Sequence, residues 1–150
     1  MQPLRLPFPP TANTHWRSVV IGGRVRVLIS KRGREYRAAV VEHTRRHCLG
    51  APRSSGEPES VPVGIRDAVR AAFGDGRTLS LFPTERLACL ITVHPPDRRR
   101  RDLDNLLKSL LDSLQHAGLY ADDSQIDQIH IYRSSIEKGG SVVVLLSEVE

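Results

Sequence analysis

The chain has 150 residues, of which 39% are hydrophobic and 26% charged, and this balance is typical of a single globular domain with its own core. Its 22 lysines and arginines against 17 aspartates and glutamates give a formal net charge of +5, which favours an anionic partner such as nucleic acid. No apolar run approaches the roughly 18 residues of a membrane span, and prolines interrupt the N-terminus where a signal peptide would need an apolar run. Cys48 and Cys89 lack metal-ligand spacing and are typical of buried thiols in a reducing compartment. We therefore expect a soluble, cytoplasmic protein without a membrane partner.

The first thirty residues predict an extended arm followed by a hairpin. Residues 3–10, PLRLPFPP, indicate an edge strand because prolines would interrupt a central ladder. Residues 18–28, SVVIGGRVRVL, contain two β-branched runs around a Gly-Gly pair, which is a hairpin signal. In its second run arginines alternate with valines, so one face of the hairpin is expected to be basic and the other apolar. The two arginines are Arg24 and Arg26.

A helix is predicted over residues 30–48, with Ser30 as its N-terminal cap. His43 and His47 are one turn apart on this helix and could form half of a metal site. No third ligand is evident nearby, so we interpret the two histidines as ordinary residues of a helix face.

The remainder of the chain predicts a linker, two helices and three strands. Residues 49–60 are rich in Gly, Pro and Ser, and residues 61–76 have helical spacing. Strands are predicted over 86–95, 126–134 and 141–149. The helix between the first two of them has leucines at i, i+3, i+4, i+7, i+8 and i+11 from Leu103, a stripe that suits either a core or a dimer interface. The predicted fold is α+β, a small mixed and partly antiparallel sheet covered by two or three helices.

Four arginines and two aspartates precede this leucine-rich helix in the stretch DRRRRDLDNLLK, residues 97–108. Asp102 suits a helix cap, but with Asp104 it could also supply the oxygen ligands that Mg²⁺ prefers. A second acidic pair, Asp122 and Asp123, follows the helix in YADDSQI, where Asp122 could support the site or cap a turn. Such carboxylates repel one another unless a cation or arginine neutralises them. The arginines suit either a solvated face or contacts to a nucleic-acid backbone.

The loop NTHWR, residues 13–17, combines an aromatic ring with polar groups. Asn13, His15, Trp16 and Arg17 could contact DNA, with the indole stacking on an exposed base. Alternatively, Trp16 covers the edge of the core.

Four segments resemble, in the same order, the RusA family of Holliday-junction resolvases of bacteria and their phages. They are LPFPPTANTHWR, SKRGREYR, PPDRRRRDLDNLLKSLLDSL and AGLYADDSQI. The resemblance covers residues 3–48 and 86–150, and D-L-D-N-x-x-K followed by D-D is more specific than either part alone. Residues 49–83 are longer than in compact family members, which implies one endonuclease domain carrying a linker and helical insertion there.

The resemblance implies a homodimeric, Mg²⁺-dependent endonuclease that makes paired nicks in four-way DNA junctions, with Mn²⁺ as a substitute metal. Asp102, Asp104 and Asp123 match the family's catalytic, metal-binding aspartates, and Lys108 matches its functional lysine, which would stabilise charge on the phosphate. The alternatives are a non-catalytic protein that binds branched nucleic acid, or a related nuclease for other branched DNA or RNA. The expected DNA-binding residues are Arg98, Arg99, Arg100, Arg101, Asn13, His15, Trp16, Arg17, Arg24 and Arg26.

The position of Asp123 raises a geometric question. A helix over residues 103–117 is about 22 Å long, and Asp104 stands at its start whereas Asp123 follows its end. We expect the chain to return along the helix and to form the site within one chain. An early end of the helix, or a site across the dimer interface, is the alternative.

Overall fold

The computed structural model describes residues 2–49 and 80–149. In this part of the chain six strands and three helices alternate, and a short 3₁₀ turn, Asp123–Gln125, precedes the fifth strand. The predicted α+β class is confirmed. The elements are β1 (Leu4–Pro7), α1 (Ala12–His15), β2 (Trp16–Ile21), β3 (Arg24–Ile29), α2 (Lys31–Leu49), β4 (Leu87–His94), α3 (Asp104–His116), β5 (Ile126–Arg133) and β6 (Ser141–Glu148).

The main sheet has four strands in the order β1-β6-β4-β5. β4 pairs parallel with β5 and antiparallel with β6, while β1 pairs antiparallel with β6. The sheet is therefore mixed, as predicted, and the proline-rich arm lies at its edge. The predicted insertion over 49–83 and the helix over 61–76 fall largely outside the described residues and stay predictions.

The core lies between the inner face of this sheet and helices α2 and α3. Leu106, Leu110 and Leu114 of α3 are at most 1% exposed and pack in one cluster with Val40 of α2 and with Ile91 of β4. The inner leucines of the stripe therefore belong to the core of the chain. None of the described helices is long and apolar enough to cross a membrane.

Strands β2 and β3 form a separate two-stranded sheet. Its turn has positive φ at both Gly22 (58°) and Gly23 (75°), as the sequence predicts. Val20 lies opposite Val25, so both point to one face, and each is 71% exposed. The predicted separation of Arg24 and Arg26 from Val25 and Val27 is confirmed, but the arginine face also carries Val19, Ile21 and Leu28. In the described part of the chain the valine face is open.

Ser30 joins the hairpin to α2. The Gly33 amide donates to Ser30 Oγ at 3.0 Å, which confirms the predicted cap. Ser30 Oγ in turn donates to the Thr14 carbonyl at 2.6 Å, and the Ser30 amide donates to the His15 carbonyl at 2.8 Å. One residue thus fixes the start of α2 against α1.

Candidate active site

One edge of α3 presents three charged residues at successive turns: Asp104, Lys108 and Asp112. Asp104 is exposed at the first residue of the helix. The side chain of Lys108 is 64% exposed and that of Asp112 only 14%, and Lys108 Nζ lies 3.6 Å from Asp112 Oδ2. The row therefore runs from solvent at the start of the helix to a half-enclosed carboxylate two turns later.

The chain turns back along α3 after Gly118, whose φ is 75°. The Tyr120 hydroxyl donates to the Leu111 carbonyl at 2.8 Å, and Gln115 Nε2 donates to the Ala121 carbonyl at 2.9 Å. These bonds tie the returning segment to the second half of the helix. The expected return along the helix is confirmed.

The return brings Asp123 next to Asp112 and Lys108. Burial, and then the charge of Asp112, raise the pKa of Asp123, while hydrogen bonding with the Tyr120 hydroxyl and then the charge of Lys108 act in the opposite direction. Asp123 Oδ1 is buried and accepts no hydrogen bond from any residue that the structure describes. Burial also raises the pKa of the adjacent Tyr120 hydroxyl, with Asp123 as the next cause.

Asp122, the other half of the acidic pair, has a different role. Its side chain caps the 3₁₀ turn, because Asp122 Oδ1 accepts the Ser124 amide at 2.9 Å. The hydrogen bonds from Ser124 lower the pKa of the Asp122 carboxyl. The sequence allowed Asp122 either to support the site or to cap a turn, and in the structure it caps the turn.

The acidic groups fit a hard divalent cation chemically, but they are not gathered in one place. Asp123 Oδ1 and Asp112 Oδ2 are buried carboxylate oxygens without a hydrogen-bond donor among residues 2–49 and 80–149, and such oxygens are what Mg²⁺ prefers. Within the same residues, however, no group of three His, Cys, Asp or Glu side chains could hold a metal ion. Asp102 and Asp104 are exposed at the start of α3, and the carboxylate with the strongest effect on the pKa of Asp123 is that of Asp112.

The start of α3 also excludes one role for Asp102. The cap position is held by Leu103, and no side chain forms a cap hydrogen bond there. The interpretation of Asp102 as a helix cap is therefore wrong, and its carboxylate is exposed for other contacts.

Asp112 is the site residue that the sequence interpretation missed. It lies four residues after Lys108, as Asp104 lies four residues before it, and it interrupts a run of leucines. That symmetric spacing was the available signal. What the sequence could not show is that the returning chain places Asp123 beside this carboxylate.

The four arginines divide into one structural and three exposed residues. Arg101 makes a two-pronged ion pair with Asp97, at 2.7 Å to Oδ1 and 2.9 Å to Oδ2, and its guanidinium lies over the Phe8 ring at 5.7 Å. The hydrogen bond from Arg101 is the main cause that lowers the pKa of Asp97 to about 2. The side chain of Arg101 is only 20% exposed, so the predicted DNA contact does not suit it. Arg98, Arg99 and Arg100 are exposed and keep that prediction.

The prediction of a loop at NTHWR is wrong, because its first three residues belong to α1 and its last two to β2. The segment is partly buried. His15 is 0% exposed, which makes the predicted contact of its side chain with DNA wrong. Burial and then the charge of Arg37 lower the pKa of this imidazole. Trp16 is half-buried, with the Arg37 guanidinium 5.3 Å from the centre of its ring. Its indole therefore covers an edge of the interior and still borders two surface clefts.

A shallow groove connects the hairpin to the row of charges on α3. Asn13, Trp16, Arg17, Val27 and Lys108 line it. Arg17 lies across the hairpin from Leu28, on the face that also carries Arg24 and Arg26, and all three arginines are exposed. An anionic chain that followed this surface would reach the Lys108 ammonium.

These features define a class of small α+β protein with exposed arginines and with a cleft that holds a lysine beside a carboxylate. Lysine and arginine side chains are suited to binding phosphate groups. The family model described as Endodeoxyribonuclease RusA matches residues 7–146. The chain belongs to this family, and the resemblance read from its motifs is confirmed.

Individual relatives agree with the family match over nearly their full length. The chain is 33% identical to a protein of Enterobacteria phage HK97 named crossover junction endodeoxyribonuclease rusA, over 97% of this chain and 92% of the relative. It is 31% identical to the protein of that name from Enterobacteria phage 82 and 30% identical to that of Escherichia coli (strain K12), in each case over 97% of this chain and 93% of the relative. The predicted enzyme class, an endodeoxyribonuclease, is confirmed.

Proposed function

We propose that this protein resolves four-way DNA junctions by paired, Mg²⁺-dependent nicks made by a homodimer, with Mn²⁺ as a substitute metal. The observation that carries the proposal is membership of the RusA family over residues 7–146, together with an intact D-L-D-N-x-x-K motif and a later D-D pair. Relatives that match 97% of the chain are named crossover junction endodeoxyribonucleases.

Asp102, Asp104 and Asp123 would hold the metal, which when bound polarises the scissile phosphate and lowers the pKa of an attacking water. Asp123 supports this role through its buried oxygen, which has no hydrogen-bond donor in the described part of the chain. Asp102 and Asp104 contribute exposed carboxylates at the start of α3.

Lys108 would neutralise charge that develops on the phosphate during cleavage. Its ammonium group is exposed enough to meet a substrate, yet Asp112 lies 3.6 Å away and restrains it. The Lys108 side chain also lines the groove beside the hairpin, where a DNA backbone held by exposed arginines would enter. The arginines are Arg17, Arg24, Arg26, Arg98, Arg99 and Arg100.

The test is cleavage of a synthetic four-way junction with and without Mg²⁺, with Asp104→Asn as the matched variant of nearly equal size. We expect paired, symmetric nicks from the wild type only when the metal is present, and none from Asp104→Asn. Tight junction binding by a wild type that does not cut would favour a non-catalytic binding protein. Equal cutting of plain duplex or single strands would overturn the junction specificity.

A further inference from the structure

The side-chain amide of Gln125 forms hydrogen bonds through both its oxygen and its nitrogen, next to the turn that carries Asp123. Gln125 is 7% exposed. Its Oε1 accepts the amides of Ala121 at 2.8 Å and Asp122 at 2.9 Å. Its Nε2 donates to the carbonyls of Phe82 and Glu85, at 3.0 Å each. One amide group thus joins the returning chain to the segment before β4 and uses all of its donors.

The segment that receives Gln125 is itself fixed to the returning chain. The Leu81 amide donates to the Gly118 carbonyl at 2.8 Å, and the Phe82 amide donates to the Leu119 carbonyl at 2.9 Å. Phe82 also forms an isolated parallel bridge with Tyr120. Gln125 is therefore bonded to a segment that is itself paired with the returning chain.

Asp122 closes the other side of the same turn. Its Oδ1 accepts the Ser124 amide at 2.9 Å, and its carbonyl accepts the Gln125 amide at 3.0 Å. With the bond from the Asp122 amide to Gln125 Oε1, this makes a reciprocal capping box. The capping box and the Gln125 side chain therefore both hold the Asp122 backbone in place.

The Oδ1 atom of Asp123 is the polar atom that these hydrogen bonds leave unsatisfied. This oxygen is buried without a donor within the described residues, and an unpaired buried oxygen is unfavourable for folding unless it serves another purpose. These hydrogen bonds satisfy the polar groups on either side of Asp123, so the turn is held in place while one buried carboxylate oxygen has no donor among the described residues.

We propose that Gln125 is the positioning residue for Asp123 and that Asp122 acts beside it as a cap and not as a metal ligand. The inference rests on the proposed role of Asp123 and adds the reason why the acidic pair is followed by Ser-Gln. In metal sites, groups that orient a ligand typically change metal affinity or activity by about 10–100-fold when they are replaced.

The first experiment replaces Gln125 by Glu, which keeps the side chain's size and its acceptor but puts a carboxylate against the Phe82 and Glu85 carbonyls. We expect about 10–100-fold weaker Mn²⁺ binding by calorimetry of the free protein, and a comparable loss of junction cleavage. Junction affinity without divalent metal should stay within about twofold, because it depends on phosphate contacts. Gln128→Glu, on exposed β5, adds the same charge three residues away and should leave both values unchanged.

The second experiment compares Asp122→Asn with Asp122→Ala, on an exposed side chain where neither change threatens the core. Asn retains an acceptor for the Ser124 amide and Ala does not. Metal-free hydrogen exchange at the Ser124 and Gln125 amides should therefore accelerate in the Ala variant only. Mn²⁺ affinity and cleavage should follow the same order, with Asn close to the wild type. If Asn fails as badly as Ala, Asp122 is more than a cap and the assignment is wrong.

Asp123→Asn, assayed in parallel, separates this inference from the function on which it rests. If Asp123→Asn cuts junctions normally, the proposed role of Asp123 fails. If Asp123→Asn is inactive while Gln125→Glu and Asp122→Ala bind Mn²⁺ and cut as the wild type does, only the positioning role is overturned. Thermal unfolding of each variant shows whether a loss reflects the turn or the whole fold, and if Gln125→Glu does not fold, the Asp122 pair decides.

Discussion

At the scale of single residues, Asp123 and Asp127 stand four positions apart and have opposite electrostatic surroundings. Burial and the nearby Asp112 raise the pKa of Asp123 above its ordinary value of 3.8. Hydrogen bonds from Arg86, one of them 2.8 Å from Nε to Oδ2, lower the pKa of Asp127. A raised carboxyl pKa means that the folded chain holds the proton more tightly than the unfolded chain, so the free energy of unfolding falls as pH rises through that interval. For Asp127 the stabilisation is present above pH 3.8 and is lost in acid.

Asp123→Asn should therefore stabilise the metal-free protein at neutral pH, because the neutral amide removes an unfavourable buried charge. Asp127→Asn should destabilise it at the same pH, since Arg86 loses its ionic partner. The Asp123 difference should shrink as the pH falls from the raised pKa towards 3.8, whereas the Asp127 difference should shrink only as the pH falls below 3.8. Thermal unfolding in chelator between pH 3 and 8 measures them, and a destabilised Asp123→Asn at pH 7 would contradict the assigned surroundings.

Asp112 and Lys108 should shift the pKa of Asp123 in opposite directions. Asp112→Asn removes a negative charge and should lower that pKa, whereas Lys108→Ala removes a positive charge and should raise it. Carbon-detected NMR titration of the Asp123 carboxyl in the metal-free protein measures its pKa in each variant. Glu42→Gln, at an exposed ion pair on α2, is the control and should leave the Asp123 titration unchanged. Shifts of equal sign in the first two variants would refute the arrangement.

At the scale of the elements, α2 shows a conflict between local preference and packing. Gly33 lies in the first turn of this helix and is buried. A Cβ there would stand 2.6 Å from the His15 carbonyl oxygen and 2.7 Å from Ile29 Cγ1. The carbonyl also receives the Ser30 amide, so it cannot move without opening the junction between α1 and α2. Close packing explains this glycine, where helix propensity alone would disfavour it.

Gly33→Ala should accordingly destabilise the protein by about 1–3 kcal/mol, the usual range for overpacking, although alanine is the better helix former by about 1 kcal/mol. Ala38→Gly at an exposed position of the same helix is the matched reverse change and should lower stability by about 1 kcal/mol through propensity alone. Urea unfolding measures both free energies. If Gly33→Ala were more stable than the wild type, the close contact of residue 33 with the His15 carbonyl would not restrict its side chain.

At the scale of the whole molecule, the hairpin has Val20, Val25 and Val27 on the face opposite to its arginines. A two-stranded sheet alone is marginally stable in water, and the apolar face is open within the described part of the chain, with Val20 and Val25 each 71% exposed and Val27 63%. An exposed apolar face of this kind commonly marks a protein interface. It supports the proposed homodimer, since paired nicks require two active sites on one junction.

The Val20→Thr/Val25→Thr double variant replaces a cross-strand pair by polar residues that keep the β-branched shape. We expect it to shift the protein from dimer to monomer at micromolar concentration and to convert paired nicks into slow single nicks. Ile136→Thr makes the same type of change at a 49% exposed residue away from the hairpin and should stay dimeric. Sedimentation equilibrium gives the masses, and an unchanged mass for the double variant would exclude this face as the interface.

The sequence alone determined the local elements and the motif. Alternation of arginine and valine predicted that these residues lie on opposite faces of the hairpin, and D-L-D-N-x-x-K with D-D indicated the family. The leucine stripe predicted the apolar side of α3 and left open whether that side faces the core or a dimer partner. These features are local: strand and helix periodicity decide which side chains share a face, whatever the rest of the chain does. Ser30 as a cap follows for the same reason.

Only the tertiary structure decided which of these faces meet. His15 looked like a loop residue and lies in the interior, and Arg101 looked like its three neighbours yet is held by Asp97. Asp112 lies within α3 and Asp123 lies beyond its end. They become neighbours because the chain reverses at Gly118 and the hydrogen bonds of Gln125 fix the returning segment. Such contacts depend on long-range packing and on the satisfaction of buried hydrogen bonds, neither of which leaves a periodic signal in the sequence.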